Sequence, residues 1–124
     1  MKKIFSLLLS FVMLISIVSL VDFSAFAASM PTTTITSVKA QSKAFTVKWK
    51  KKSGITGYQI QYSSNKTFKK NNKSVTVTKQ KTTKATVKKL KSKKKYYVRV
   101  RTYKTVNGKK IYSSWSKVKS VKTK

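Results

Sequence analysis

Carboxylates are almost missing from this chain. Its 124 residues hold one acidic side chain, Asp22, and no histidine and no cysteine, with one proline and three glycines. Each absence removes a class of function. General acid–base catalysis needs a group that titrates near the working pH, and the usual suppliers are His, Asp, Glu and Cys. Metal centres draw on the same side chains. Serine and threonine are plentiful, but no base of the usual kind stands ready to activate them. A lysine whose pKa is depressed by neighbouring cations remains conceivable as a base, and no pocket motif supports one. Gly54, Gly57 and Gly108 are too scattered for a phosphate-cradling loop. The expectation is a chain that is not an enzyme and carries no metal and no cofactor. Without cysteine there is no disulfide framework and no cysteine for a lipid anchor.

What is present begins with an export signal. Met1-Lys2-Lys3 is a short positive region, and residues 4–21 are apolar except for Ser6, Ser10, Ser16 and Ser19. Ala25-Phe26-Ala27 then supplies the small-x-small pattern of a signal-peptidase site. Residues 1–27 are therefore expected to be a signal-peptide helix, cut after Ala27. The apolar run exceeds the usual ~7–15 residues, so retention as a membrane anchor is the other reading. Both put the remainder outside the membrane by the positive-inside rule. No second apolar span follows, so cleavage would leave no transmembrane segment. The expected location is secreted, with association to a cell wall as a further expectation.

Past the signal, with Lys2 and Lys3 set aside, 28 of the 30 Lys and Arg residues face no acid at all. High net charge favours disorder, but the hydrophobic pattern opposes it. Val, Ile, Tyr, Phe and Trp alternate with Lys, Thr and Ser in short runs separated by polar turns, as in an all-β sandwich. Residues 28–33 read as a short linker and 34–124 as one domain. Strands are expected at 35–39, 44–50, 57–63, 74–78, 85–87 with Leu90, 96–103, and 111–121 with an interruption near Ser113-Ser114. The period of two puts Phe45, Val47 and Trp49 on one face, and likewise Tyr58, Ile60 and Tyr62. Phe68 reads as a plug folded down from a loop. Asn107-Gly108 is a hairpin turn.

Three stretches resemble a fibronectin type III module over roughly residues 31–124. Phe45-Thr46-Val47-Lys48-Trp49 is similar to the family's strand B with its buried tryptophan. Ile55-Thr56-Gly57-Tyr58-Gln59-Ile60-Gln61-Tyr62 is similar to strand C. Leu90-Lys91-Ser92-Lys93-Lys94-Lys95-Tyr96-Tyr97-Val98-Arg99-Val100-Arg101 resembles the corner between strands E and F and strand F itself. The resemblance implies a seven-stranded antiparallel immunoglobulin-like sandwich, with Trp49, Tyr58, Leu90 and Tyr96 as its fold signature. Tyr96 would be the corner tyrosine, its hydroxyl bonded back to nearby backbone. The family's Pro-Gly-Thr-Glu in that corner is replaced by Ser92-Lys93-Lys94-Lys95. The integrin-binding Arg-Gly-Asp is absent from the loop 105–110. The lysine-rich style resembles modules of secreted surface proteins from Gram-positive bacteria.

Two features stand out as candidate contact sites. Lys88, Lys89, Lys91, Lys93, Lys94 and Lys95 form a dense cationic corner, read either as a polyanion contact or as a flexible turn. Tyr112-Ser113-Ser114-Trp115-Ser116 partly resembles the Trp-Ser-x-Trp-Ser signature of cytokine-receptor modules. There the aromatics interleave with cations, so Arg99, Arg101 and Trp115 are expected to form a cation–π ladder. The alternative use of Trp115 is as a platform that stacks sugars or bases. The expected function is a secreted, non-catalytic binding or adhesion module whose partners are anionic surface polymers or acidic glycans. An inert spacer or fragment of a larger surface protein is one alternative. An extracellular nucleic-acid or matrix binder is another, with nucleic acid bound non-specifically. Self-repulsion at this charge favours a monomer.

Overall fold

The computed structural model of the protein describes residues 30–124. The expected signal segment and the first two residues of the expected linker lie outside the described residues. Eight strands follow one another: β1 (Ile35–Gln41), β2 (Ala44–Trp49), β3 (Gly57–Ser63), β4 (Lys73–Val77), β5 (Lys84–Val87), β6 (Lys95–Val106), β7 (Lys109–Tyr112) and β8 (Lys119–Lys122). They form two antiparallel sheets. One has the order β1-β2-β5, and the other runs β4-β3-β6-β7 with β8 also paired to β6. Among the described residues no helix is long and apolar enough to cross a membrane.

Alternation places the core. Phe45, Val47 and Trp49 of β2 face Tyr58 and Ile60 of β3 and Tyr96, Val98 and Val100 of β6. Five aromatics pack as two groups. Trp49 lies 5.3 Å from Tyr58, and Phe45 lies 5.8 Å from Tyr62 and 6.3 Å from Tyr96 between ring centroids. Aromatic pairs at such spacings add to the area they bury. The outward positions of the same strands carry Lys48, Gln59, Gln61, Arg99 and Arg101, all exposed or half-buried.

The sandwich matches the expectation, with eight strands in place of seven. The expected last strand is broken in two by its own serines. Ser113 Oγ accepts a hydrogen bond from the Thr102 amide at 3.0 Å, and Ser116 Oγ accepts one from the Val100 amide at 3.0 Å. Hydroxyls thus take places on β6 that a neighbouring strand's carbonyls would fill, and the regular ladder stops. The chain stays attached: Ser113 N–H donates to Thr102 O and Ser116 N–H to Val100 O. Leu90 also lies outside the strand it was assigned to. It follows β5, half-buried against the core, with its amide donating to Lys43 O.

Where a linker was expected, residues 30–33 are docked. Met30 is buried in the core, Thr33 Oγ1 donates to Lys50 O at 2.6 Å, and the Pro31 carbonyl accepts from Thr102 Oγ1 at 2.7 Å.

The lysine-rich corner between β5 and β6 is tied down at several points. Tyr96 Oη accepts from the Lys91 amide at 3.1 Å. The buried Thr123 Oγ1 accepts from the Lys94 amide at 3.0 Å and donates to Lys91 O at 2.5 Å, and the Thr123 amide donates to Lys94 O. A threonine far along the chain thereby ties down the corner formed by Ser92-Lys93-Lys94-Lys95. Tyr96→Phe keeps the ring and removes one acceptor, so it is expected to cost about 1 kcal/mol. A urea midpoint measures this, and no change would mean that water replaces the phenol.

Candidate functional site

The outward face of β3 and β6 carries a stack built without acids. Arg99 and Arg101 lie two residues apart on β6, opposite Gln61 and Gln59 of β3 in register. Each arginine Nε donates to its partner's Oε1, Arg99 to Gln61 at 2.7 Å and Arg101 to Gln59 at 2.8 Å. Each guanidinium is also sandwiched by rings. Arg99 lies 4.2 Å from the Phe68 centroid and 4.3 Å from that of Trp115. Arg101 lies 4.1 Å from Trp115 and 3.7 Å from Tyr112. The order is Phe68, Arg99, Trp115, Arg101, Tyr112.

Alternate residues on a strand are separated by about 6.6 Å. Both guanidiniums nevertheless reach the one indole, at 4.3 and 4.1 Å from its centroid. The two arginines thus occupy ring surface of Trp115 that a sugar or base would need for stacking. In most proteins such arginines would pair with carboxylates. Here ring quadrupoles and amide oxygens take that role, each exposed cation–π contact contributing about 0.5–1 kcal/mol. Burial pushes the pKa of both arginines below the ordinary value, and for Arg101 the neighbouring Arg99 pushes the same way while Tyr112 opposes. Arginine stays charged regardless.

Phe68 and Tyr112 complete the stack, and neither was assigned to it from the sequence. Phe68 is buried on a loop at φ 57°, a backbone setting uncommon outside glycine. Its burial is that of the plug expected from the loop, but periodicity does not place it over the arginines. Tyr112 carried a signal, since it stands where the cytokine-receptor signature has its first tryptophan. Tyr97, on the same face, is met by Lys95 at 5.5 Å, and the buried Tyr103 by Lys110 at 5.1 Å.

The six lysines of the corner do not act as one patch. Lys89, Lys91 and Lys94 line a cleft of about 290 Å³ between the corner and the β3–β4 loop, together with Lys73, Tyr62 and Asn71. Lys95 faces a separate groove with Lys66, Tyr97 and the exposed Val118. Lys88 and Lys93 are exposed and line neither. The fold-signature residues Trp49, Tyr58 and Tyr96 are buried. Tyr58 Oη donates to Gln80 O at 2.8 Å and accepts from the Lys52 amide.

Two antiparallel sheets packed around a tryptophan, with a tyrosine corner ahead of the long strand, define an immunoglobulin-like sandwich. The fibronectin type III domain model matches residues 29–119. The chain belongs to the fibronectin type III family. Solved structures agree on the fold. The chain is 23% identical to the FN1–FN3 domains of chicken CNTN1, with a TM-score of 0.62 over 76% of this chain and 33% of that one. An fn3 domain of human contactin 1 matches at 20% identity and a TM-score of 0.60, covering 79% and 82%. A beta-1,2-glucanase from Parabacteroides distasonis matches at 22% identity and a TM-score of 0.62, covering 77% of this chain and 13% of the enzyme. No curated protein matches. The fold and family are those of a non-catalytic binding or structural module.

Proposed function

We propose that the protein is an exported adhesion module that associates with anionic cell-wall polymers or acidic glycans through its lysine coat. One observation carries the reading: the lysines project from an ordered, acid-free sandwich whose two arginines are already committed to the aromatic stack. No carboxylate side chain among the described residues offers these lysines an internal counterion. Their field therefore acts outward, over the ~8–10 Å range set by the salt. Export comes from the positive region, apolar run and Ala25-Phe26-Ala27 site of the amino-terminal segment. Association of this kind is reversible, salt-sensitive and tolerant of polymer sequence.

Binding to a teichoic acid, to DNA and to a neutral polysaccharide, compared over a salt titration, tests the reading. Strong binding to the wall polymer, weakening steeply with salt, with none to the neutral glycan, is the expected result. A clear preference for DNA at equal charge density would favour a nucleic-acid binder. Equal binding to envelopes stripped of their anionic polymer would contradict the proposal, and no binding to any of the three would leave an inert spacer.

A further inference from the structure

The cleft between the β3–β4 loop and the lysine corner has properties that the rest of the coat does not share. Lys73 and Asn71 approach from one side and Lys89, Lys91 and Lys94 from the other, with Tyr62 among them. Four lysines line one concavity, and the described chain has no carboxylate side chain to set beside them. A cleft lined by one sign of charge concentrates potential and draws its counterion from solution. Two of the lining residues, Asn71 and Lys89, hold the left-handed backbone at φ 57° and 59°. Lysine there is unusual and costs energy.

The frame is rigid where it matters. Lys91 and Lys94 are fixed at their backbones by Tyr96 and Thr123, so two of the four cations start from anchored positions. The Tyr62 ring is held against Phe45 and Tyr96. Its hydroxyl has no hydrogen-bond partner among the described residues. Burial, with the neighbouring Tyr96, pushes the pKa of that phenol above its ordinary value, so it stays a proton donor. A cleft of about 290 Å³ has room for a phosphate group.

The donor type is compatible with phosphate. The guanidinium fork that suits carboxylate and phosphate alike is committed to the aromatic stack in both arginines. Lysines bind phosphate as point charges that can approach its oxygens from several directions. We infer that this cleft seats one phosphate group of a phosphodiester-linked polymer, with Lys73, Lys91 and Lys94 neutralising it and the Tyr62 hydroxyl donating to one of its oxygens. The inference deepens the proposed wall-polymer association and rests on it for the identity of the ligand. The lysines elsewhere supply long-range attraction, and the cleft supplies a localised contact.

Inorganic phosphate and glycerol phosphate are titrated into the protein at fixed ionic strength, with amide chemical shifts as the readout. Saturable shifts confined to residues around Tyr62, Asn71 and Lys91 are expected. Lys73→Gln/Lys91→Gln/Lys94→Gln should weaken glycerol phosphate binding about tenfold or more. Lys39→Gln/Lys48→Gln/Lys84→Gln, the same charge change in a groove on the other sheet, should leave it within about twofold. Tyr62→Phe, which keeps the ring packing, should weaken it several-fold at an unchanged melting temperature. Equal losses in the two triple variants, or unsaturable shifts spread over all lysines, would overturn the seat while leaving the electrostatic association intact. Saturable phosphate binding at the cleft by a protein that does not bind wall polymer would support the seat and contradict the polymer reading.

Discussion

Trp115→Ala is expected to destabilise the domain by about 3 kcal/mol while leaving polyanion binding as strong as before or stronger. The indole sits between Arg99 and Arg101 at 4.3 and 4.1 Å. Two cation–π contacts contribute about 0.5–1 kcal/mol each. The half-buried ring covers on the order of 100 Å² of apolar surface, worth about 2 kcal/mol more. Its loss also strips one face from each arginine, and the freed guanidiniums then become available to a polymer. Chemical denaturation and polymer binding measured on the same variant decide the matter. An unchanged denaturation midpoint together with lost binding would show that Trp115 serves the ligand and not the fold.

Gly57→Ala is expected to cost about 3 kcal/mol or more, at the upper end of what overpacking does. A Cβ at this position would lie 2.0 Å from the Val77 carbonyl oxygen and 3.0 Å from the Tyr103 ring and hydroxyl. The tyrosine could swing aside, but the carbonyl is backbone. Moving it means pulling β4 from β3 near the Tyr58–Val77 pair. The glycine is needed for space alone, since its φ is not positive. Loss of protection from hydrogen exchange in β4, with a lowered urea midpoint, is the expected signature. A variant with the wild-type midpoint would show that β4 shifts at little cost.

Much of this fold is legible in the sequence because its strands obey the period of two so strictly. The inward sets of β2, β3 and β6 follow from alternation, as do Arg99 and Arg101 sharing an outward face. The Trp115 partnership is suggested by the serine–tryptophan box. What escapes a periodic reading depends on side chains reaching across sequence. The interruption near Ser113-Ser114 is legible, but not its cause, the hydroxyls of Ser113 and Ser116 taking the place of strand carbonyls. Phe68 reaches the arginine stack from a left-handed loop position, and Lys73 joins Lys91 and Lys94 only because the β3–β4 loop meets the corner. Thr123 stiffens that corner from the end of β8. Met30 and Thr33 read as linker because no alternation reaches them, yet they fill the edge of the core.

On the proposed function, this protein holds its partner by charge. The dependence of its binding constant for a phosphate-rich wall polymer on salt concentration tests that most directly. If about six phosphates are neutralised, a slope of roughly −4 to −5 in a log–log plot follows by analogy with nucleic acids, a loss of roughly 250- to 1,000-fold between 50 and 200 mM salt. A flat plot, with binding retained at high salt, would contradict the claim.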